Sequence, residues 1–464
     1  MGANQHQGVF IPALKLLIKY MREQKKINFI TRREALKLGL LGAAGFAFSE
    51  QLCVYAKGED ANSPQAIKRA PAKAVIELWM SGGPTHLDTF DPKPQAGNDY
   101  CGPFKTPIAT NVDGIQICEL LPLLAKQADK YSIIRSMTHG SNAHEIATYI
   151  MKTGRKPGDN MVFPGMGAVV SLFRGYDHGY KGLIPPYIAL TATEGRFAEE
   201  GFLGPRYKPF ATGGDPAQKR FVVSGVVAEG ISDARQKSRR ELLVSLDSLG
   251  KAMPGNPQFE QLNKCEEKAY NLILGDGGKV FDMSNEKDEL KDKYGRNKFG
   301  QSCLMARRLV EIGVPYITVN YGGWDTHKQH FETMRRKLPE LDKGMATLLA
   351  DLSDRGLLDS TIVVWAGEFG RTPKILWESP WNGGRGHYGN CFSAVVAGGG
   401  FKGGKVVGAS DDKGEEVAQR PVLAADLIGS MYELLGIDPD GPLPNPKGLN
   451  LQVMPSTNRL KEIM

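Results

Sequence analysis

The sequence predicts an α/β fold, a mainly parallel sheet sandwiched by helices, on three observations. Short continuous apolar runs alternate with longer stretches of helical period, the pattern of crossover units whose central strands are buried on both faces. Several of these runs end in Gly-flanked polar clusters, which in an open sheet sit where ligands bind, beyond the carboxyl ends of the strands. No repeat of about 20–50 residues is evident, which argues against a solenoid or a propeller.

Taken in order, Ala74–Met80 is the first strand, an apolar run interrupted only by Glu77. A helix follows around Leu120–Lys130, then the strand Tyr131–Met137 and a helix over Ala143–Thr153. Pro186–Leu190 is the third strand. From about 232 to 298 the chain turns charged and helical, with Arg239, Arg240, Glu241, Glu266, Glu267 and Lys268 at exposed positions, and reads as a helical insertion over the sheet. The alternation resumes with a helix Gln301–Ile312 and the strand Pro315–Tyr321. Leu338, Leu341, Met345, Leu348, Leu349 and Leu352 recur at three-to-four-residue spacing and mark an amphipathic helix, with Pro339 expected in its first turns. Thr361–Trp365 and Phe392–Ala397 supply two more buried strands, and Pro421–Leu435 closes the domain as a helix.

With 464 residues, 41% of them apolar, the chain can bury one large core. Its formal charge of +7 is concentrated at the front: residues 1–56 contribute +5 and the rest only +2. No basic stripe remains in the body, which excludes a nucleic-acid binder. The front itself has the order of a twin-arginine export signal. Thr31-Arg32-Arg33-Glu34-Ala35-Leu36-Lys37 precedes a Gly- and Ala-rich apolar run from Leu38 to Phe48, shorter than the ~20 residues a spanning helix needs. Val54-Tyr55-Ala56 suits cleavage, so residues 1–56 are expected to be a signal peptide, 57–73 a linker and 74–464 the α/β domain. The protein is therefore expected outside the cytoplasm, in the periplasm or an equivalent compartment, with no stable transmembrane segment after cleavage. Five cysteines follow the signal, with no CxxC pair, and only Cys101 and Cys118 are candidates for a bridge.

Of eight histidines, six fall in polar clusters: His86, His139, His144, His327, His330 and His387. Asp325 and His327, one residue apart, fall on one side of an extended strand end. A carboxylate and an imidazole at that spacing suit a divalent ion such as zinc, manganese or iron. Glu368 and His387 are placed to complete the shell from the next strand and the loop after it. Taken singly, each also has a structural use, Asp325 capping a turn and His327 as a hydrogen-bonded side chain. Thr138–Glu145 follows the second strand and opens a helix, where Ser141 or Asn142 could serve as a cap and the first amides favour an anion. Arg371 and Arg385 flank the same site and are either an oxyanion clamp or ordinary surface arginines. Trp324 and Trp381 read as loop packing, with a carbohydrate platform as the other use. Gly398–Gly403 fits GxGxxG in form only, because Lys405-Val406-Val407 follows instead of a helix.

Read together, Gly82–Pro94 (GGPTHLDTFDPKP), Arg135–Arg155 (RSMTHGSNAHEIATYIMKTGR), Gly322–His327 (GGWDTH), Gly367–Pro373 (GEFGRTP) and Gly384–Tyr388 (GRGHY) resemble the domain of unknown function 1501 family. That family looks like a branch of the alkaline phosphatase and sulfatase superfamily. The resemblance implies metals at the strand ends of an α/β sheet and an oxygen or modified-cysteine nucleophile attacking a phosphate or sulfate ester. It implies Asp325 and His387 as ligands, His327 nearby, and Glu368 in place of the usual Asp of Asp-His-Gly. Phe369 stands where that motif has its histidine, and Ser81–Gly83 where the first strand has an Asp, so His86 or Asp88 is the expected substitute. The nucleophile falls among Ser141, Thr138 and His144, with Ser141 preferred and Arg371 stabilising charge. An exported metal-dependent hydrolase of small-molecule or carbohydrate esters is the resulting expectation. The alternative is a non-catalytic exported binding protein with a degenerate metal site.

Overall fold

The structure is a computed structural model that describes residues 70–158, 161–193, 199–219, 221–223, 235, 238, 241–242, 276–455 and 458–464. The expected signal peptide, residues 57–69 of the expected linker and most of the expected helical insertion lie outside these residues.

Eight strands form the central sheet: β1 (Ala74–Trp79), β2 (Tyr131–Met137), β3 (Tyr187–Leu190), β4 (Phe210–Ala211), β5 (Tyr316–Asn320), β6 (Thr361–Ala366), β7 (Phe392–Ala397) and β8 (Lys405–Val407). Their order across the sheet is β8-β2-β7-β6-β1-β5-β3-β4. All pair in parallel except β7, which runs antiparallel to both β2 and β6. A parallel return needs a crossover helix, and the stretch from Gly367 to Cys391 has none. It folds instead as a small hairpin, Gly370–Arg371 against His387–Tyr388, and comes straight back.

The principal helices are α1 (His144–Thr153), α2 (Met166–Arg174), α3 (Lys298–Glu311), α4 (His330–Asp354) and α5 (Ala424–Leu434). Alternation along the strands sorts the core into two layers. Ile76, Leu78, Ile133, Ile317 and Val363 pack toward α3 and α4. Val75, Trp79, Ile134, Val364 and Val396 pack toward α1, α2 and α5. The predicted sandwich is therefore the observed one.

Three local expectations are corrected. Leu120–Lys130 is not one helix: Pro122–Ala125 forms a single turn and Ala128–Lys130 a 3-10 turn. Its first amides, Leu123 and Leu124, donate to the carboxylate of Asp342 on α4 at 2.9 and 2.7 Å, so the turn is held by tertiary contact. The amphipathic helix begins at His330, so Pro339 lies inside it. Phe331 and Met334 extend the buried face beyond the leucine pattern and offset the missing proline N–H. Cys101 and Cys118 are both buried and free rather than bridged; the Cys101 thiol donates instead to Gly97 O at 3.2 Å.

One charged pair crosses the core. Glu77 on β1 accepts from Lys152 Nζ on α1 at 2.7 Å and from Tyr316 Oη and Thr318 Oγ1 on β5, each at 3.0 Å. Lys152 also lies 3.9 Å above the Trp79 ring. The helix that carries His144 in its first turn is thereby pinned, by its last turn, to two central strands.

Candidate metal centre

The carboxyl ends of β1, β2, β5 and β6 share one edge, and each continues into a polar loop there. β5 leads into Gly322–His327, β6 into Glu368 and Phe369, β2 into the turn before α1. Since β7 is antiparallel, its amino end lies at the same edge and brings His387 from the hairpin. The β1 loop must pass close under the β5 loop. Gly82 has φ +109°, and a Cβ there would stand 2.3 Å from Asp325 N, so only glycine permits the approach.

Asp325 is the hub. Its Oδ1 lies 3.0 Å from His327 Nε2, 3.1 Å from His387 Nε2 and 2.5 Å from Arg371 Nη2, and its Oδ2 lies 3.4 Å from His144 Nε2. His327 Nε2 and His387 Nε2 face each other at 2.9 Å. Ligand atoms of His144, Asp325 and His387 all fall within 4.8 Å of one another. Three imidazole nitrogens aimed at one carboxylate form a donor set of the nitrogen-and-oxygen kind that zinc and similar ions take. The residues therefore fit a divalent metal. Solvent can reach it, since the Asp325 side chain is 43% exposed.

Electrostatics favour the metal-binding protonation state at Asp325 and His327, and the protonated ring at His144. Partial burial works against ionisation of Asp325, but the adjacent Arg371 guanidinium outweighs it and holds the carboxyl below its usual range. Burial, together with the nearby Arg371, pulls His327 down, favouring the neutral ring that ligation needs. His144 is pushed up, chiefly by its hydrogen bond to Glu368.

A second layer aims two of the imidazoles. Glu368, buried, has Oε1 2.6 Å from His144 Nδ1, while both of its oxygens accept from Gly82 N at 2.9 and 3.1 Å. His387 Nδ1 donates to Asn142 O at 2.8 Å. In His144 and His387 the outer nitrogen is engaged and Nε2 is presented inward, the arrangement by which outer-shell partners fix ring orientation and raise basicity. The Phe369 ring stacks on His387 with centroids 4.7 Å apart and lies 4.9 Å from the His144 ring, an apolar wall beneath both. Glu368→Gln, which keeps the shape but removes the charge behind His144, should weaken metal binding about 10–100-fold. Competition against a chromogenic chelator measures this, and an unchanged affinity would remove Glu368 from the role.

Of the expected ligands, Asp325, His327 and His387 are brought together, and Glu368 stands one shell behind. His144, expected as a catalytic residue, instead points its Nε2 at Asp325 alongside the other imidazoles. Asp88 and His86 are not brought to the cluster. Asp88 is buried and engaged by Arg385 Nε and His330 Nε2, each at 2.9 Å. His86 is buried with Nε2 2.8 Å from Gly414 O. The first strand thus sends its charged residues into a structural network below the site. Arg385 belongs to that network, bonding Thr372 O at 2.9 Å and Tyr100 O at 2.6 Å rather than facing solvent as a clamp. Arg371, expected beside a bound oxyanion, is fully buried behind Asp325.

Ser141 lies in the turn before α1, its hydroxyl accepting from Ala143 N at 3.5 Å. His139 ties the same turn to the β6 loop: Ser141 N donates to its Nδ1 at 3.1 Å, so its Nε2 carries the proton donated to Glu368 O at 2.7 Å. The contributions of Asn142 O and Gly82 N went unread in the sequence because a backbone atom carries no residue-type signal.

Residues 72–464 match the model of a family described as "Protein of unknown function (DUF1501)". No curated protein matches the chain. Among solved structures, the PsFucS1 sulfatase from Pseudoalteromonas sp. is similar at 14% identity and a TM-score of 0.35, covering 83% of this chain and 73% of its own. A protein in the alkaline phosphatase superfamily from Vibrio parahaemolyticus is similar at 10% identity and 0.37, covering 84% and 74%. The C-terminal periplasmic domain of EcEptC from Escherichia coli, in complex with Zn, is similar at 11% and 0.35, covering 87% and 94%. These likenesses are distant.

Proposed function

The chain belongs to the DUF1501 family of proteins of unknown function, and from that premise and the cluster at the sheet edge we propose that it is an exported, metal-dependent hydrolase of phosphate or sulfate esters. The observation that carries the reading is the convergence of His144, His327 and His387 on Asp325 in a solvent-accessible position at the carboxyl edge of the sheet. Those four residues would hold the ion. When bound, a divalent ion there supplies a Lewis acid that polarises an ester oxygen.

The chain's own groups do the rest. Glu368 and Asn142 O hold the His144 and His387 rings in one orientation, so the donor set is formed before substrate arrives. Arg371 keeps Asp325 ionised and stationary. Ser141, at the turn into α1, is the attacking hydroxyl in this reading. The substrate class is a small-molecule or carbohydrate ester. Export rests on Thr31–Lys37 and the apolar run after it. Among the described residues, no helix is long and apolar enough to cross a membrane.

Purified protein, loaded with zinc or manganese, should turn over an aryl phosphate or an aryl sulfate and lose that activity on chelation. Ser141→Ala should then lower kcat by at least about 100-fold, the scale on which a lost nucleophile or its base acts. Retained turnover would reassign the attack to water. A second reading, a non-catalytic exported binding protein, draws on one observation. Among the described contacts the Ser141 hydroxyl meets only the Ala143 amide, and the adjacent His139 imidazole is bonded to the Ser141 backbone amide rather than to the hydroxyl. Metal binding with no turnover of either ester would favour that reading.

A further inference from the structure

Arg371 is the most enclosed charge at the centre, with no part of its side chain exposed. Nε donates to Gly83 O at 3.1 Å and Nη1 to Arg385 O at 3.3 Å, while Nη2 donates to Gly82 O and, at 2.5 Å, to Asp325 Oδ1. Three carbonyl oxygens and one carboxylate oxygen, drawn from the β1 loop, the β5 loop and the hairpin, thus converge on one planar cation. A shell of that composition is the kind a hard cation takes, all oxygen and mostly backbone. The guanidinium fills it. Taking a charge out of water is costly unless it is paired and hydrogen-bonded, and here four of its five N–H groups are accounted for.

The other groups on Asp325 are different in kind: His327 and His387 share Oδ1 with the guanidinium, and His144 faces Oδ2. These donors are imidazole nitrogens, and the Phe369 ring against His387 and His144 leaves an apolar wall where further donors would have to stand. Asp325 is therefore shared by two cation positions: one lined by nitrogen and open to solvent, the other lined by oxygen and already filled by the chain.

We propose that Arg371 is a built-in second cation: the centre takes one exchangeable divalent ion on His144, Asp325, His327 and His387, and the guanidinium permanently occupies the neighbouring oxygen cage. The inference rests on the metal-centre reading above and deepens it. An anionic substrate would meet one removable and one tethered positive charge, and a chelator would remove only the first.

The test counts ions. Metal-free full-length protein is titrated with zinc, and bound metal per chain is measured by plasma mass spectrometry and by calorimetry. One equivalent at saturation supports both the reading and the inference. None overturns the metal centre itself. Two tightly bound equivalents leave the metal centre standing and overturn the assignment of Arg371. In a second arm, Arg371→Ala is titrated with zinc, with and without millimolar guanidinium chloride. Zinc binding should weaken about tenfold or more, on the scale of a lost outer-shell partner, and guanidinium should restore part of it by re-entering the cage. Wild-type affinity in the variant, or no restoration, would reduce Arg371 to packing and overturn the proposal. Should the variant fail to fold by circular dichroism, the wild-type count still decides.

Discussion

Asp325→Ala is expected to leave a folded protein that retains no divalent metal after gel filtration, whereas the parent retains it. Every imidazole of the cluster turns toward this one carboxylate, and among the described residues Asp325 brings the only negative charge that touches all three. Losing a ligand should cost more than the 10–100-fold that follows loss of an outer-shell partner. The variant also strands the buried Arg371 guanidinium without its carboxylate, so a fall in stability of about 1–3 kcal/mol should accompany the loss of metal. Metal content by mass spectrometry and a chemical denaturation curve separate the two effects. Equal metal in variant and parent would show that the site lies elsewhere.

The second large effect lies in the core. Lys152→Met should destabilise the protein by about 3–5 kcal/mol, because it leaves Glu77 charged and buried among β1, β5 and α1 without its cation. Tyr316 and Thr318 still donate to Glu77, but neutral donors do not replace a countercharge. Pairing Lys152→Met with Glu77→Leu should recover most of the loss, since a buried ion pair replaced by apolar groups of similar volume is often neutral. Guanidinium chloride denaturation measures both. A single-variant loss below about 1 kcal/mol would show that the Lys152–Glu77 pair contributes little to stability. Because α1 positions His144, the double variant also shows whether the pair serves the site: stability regained with zinc affinity still reduced would assign it that role.

How far the site was legible follows from where each residue's signal resides. Asp325 and His327 stand out because both occupy one short polar cluster after an apolar strand, a local pattern. His387 stands out through its glycine neighbours. The roles within the cluster were less visible. In the sequence Glu368 has the features of a ligand, a carboxylate at a strand end. Only its bonds to Gly82 N and His144 Nδ1 reveal that it works from behind. His144 is visible in the sequence only through its position at a helix start, whereas the direction of its ring depends on packing against Phe369 and His387. Asp88 and His86 looked available because they follow the first strand, but contacts to Arg385, His330 and Gly414, all more than 240 residues away in the chain, consume them.

By itself the sequence determined the sandwich, since alternating apolar runs and helical periods are local consequences of which faces must leave water. It determined too that the β5 and β6 ends would carry the polar cluster, because motif and strand are contiguous there. Tertiary structure alone decided that β7 returns antiparallel, which delivers His387 to the same edge as Asp325 and Arg371. It alone decided that Arg371 would be an enclosed cation instead of a solvent-facing clamp. The reason is the same in both cases: side-chain direction and charge burial depend on partners remote in the chain, and residue type and spacing do not encode which partner arrives.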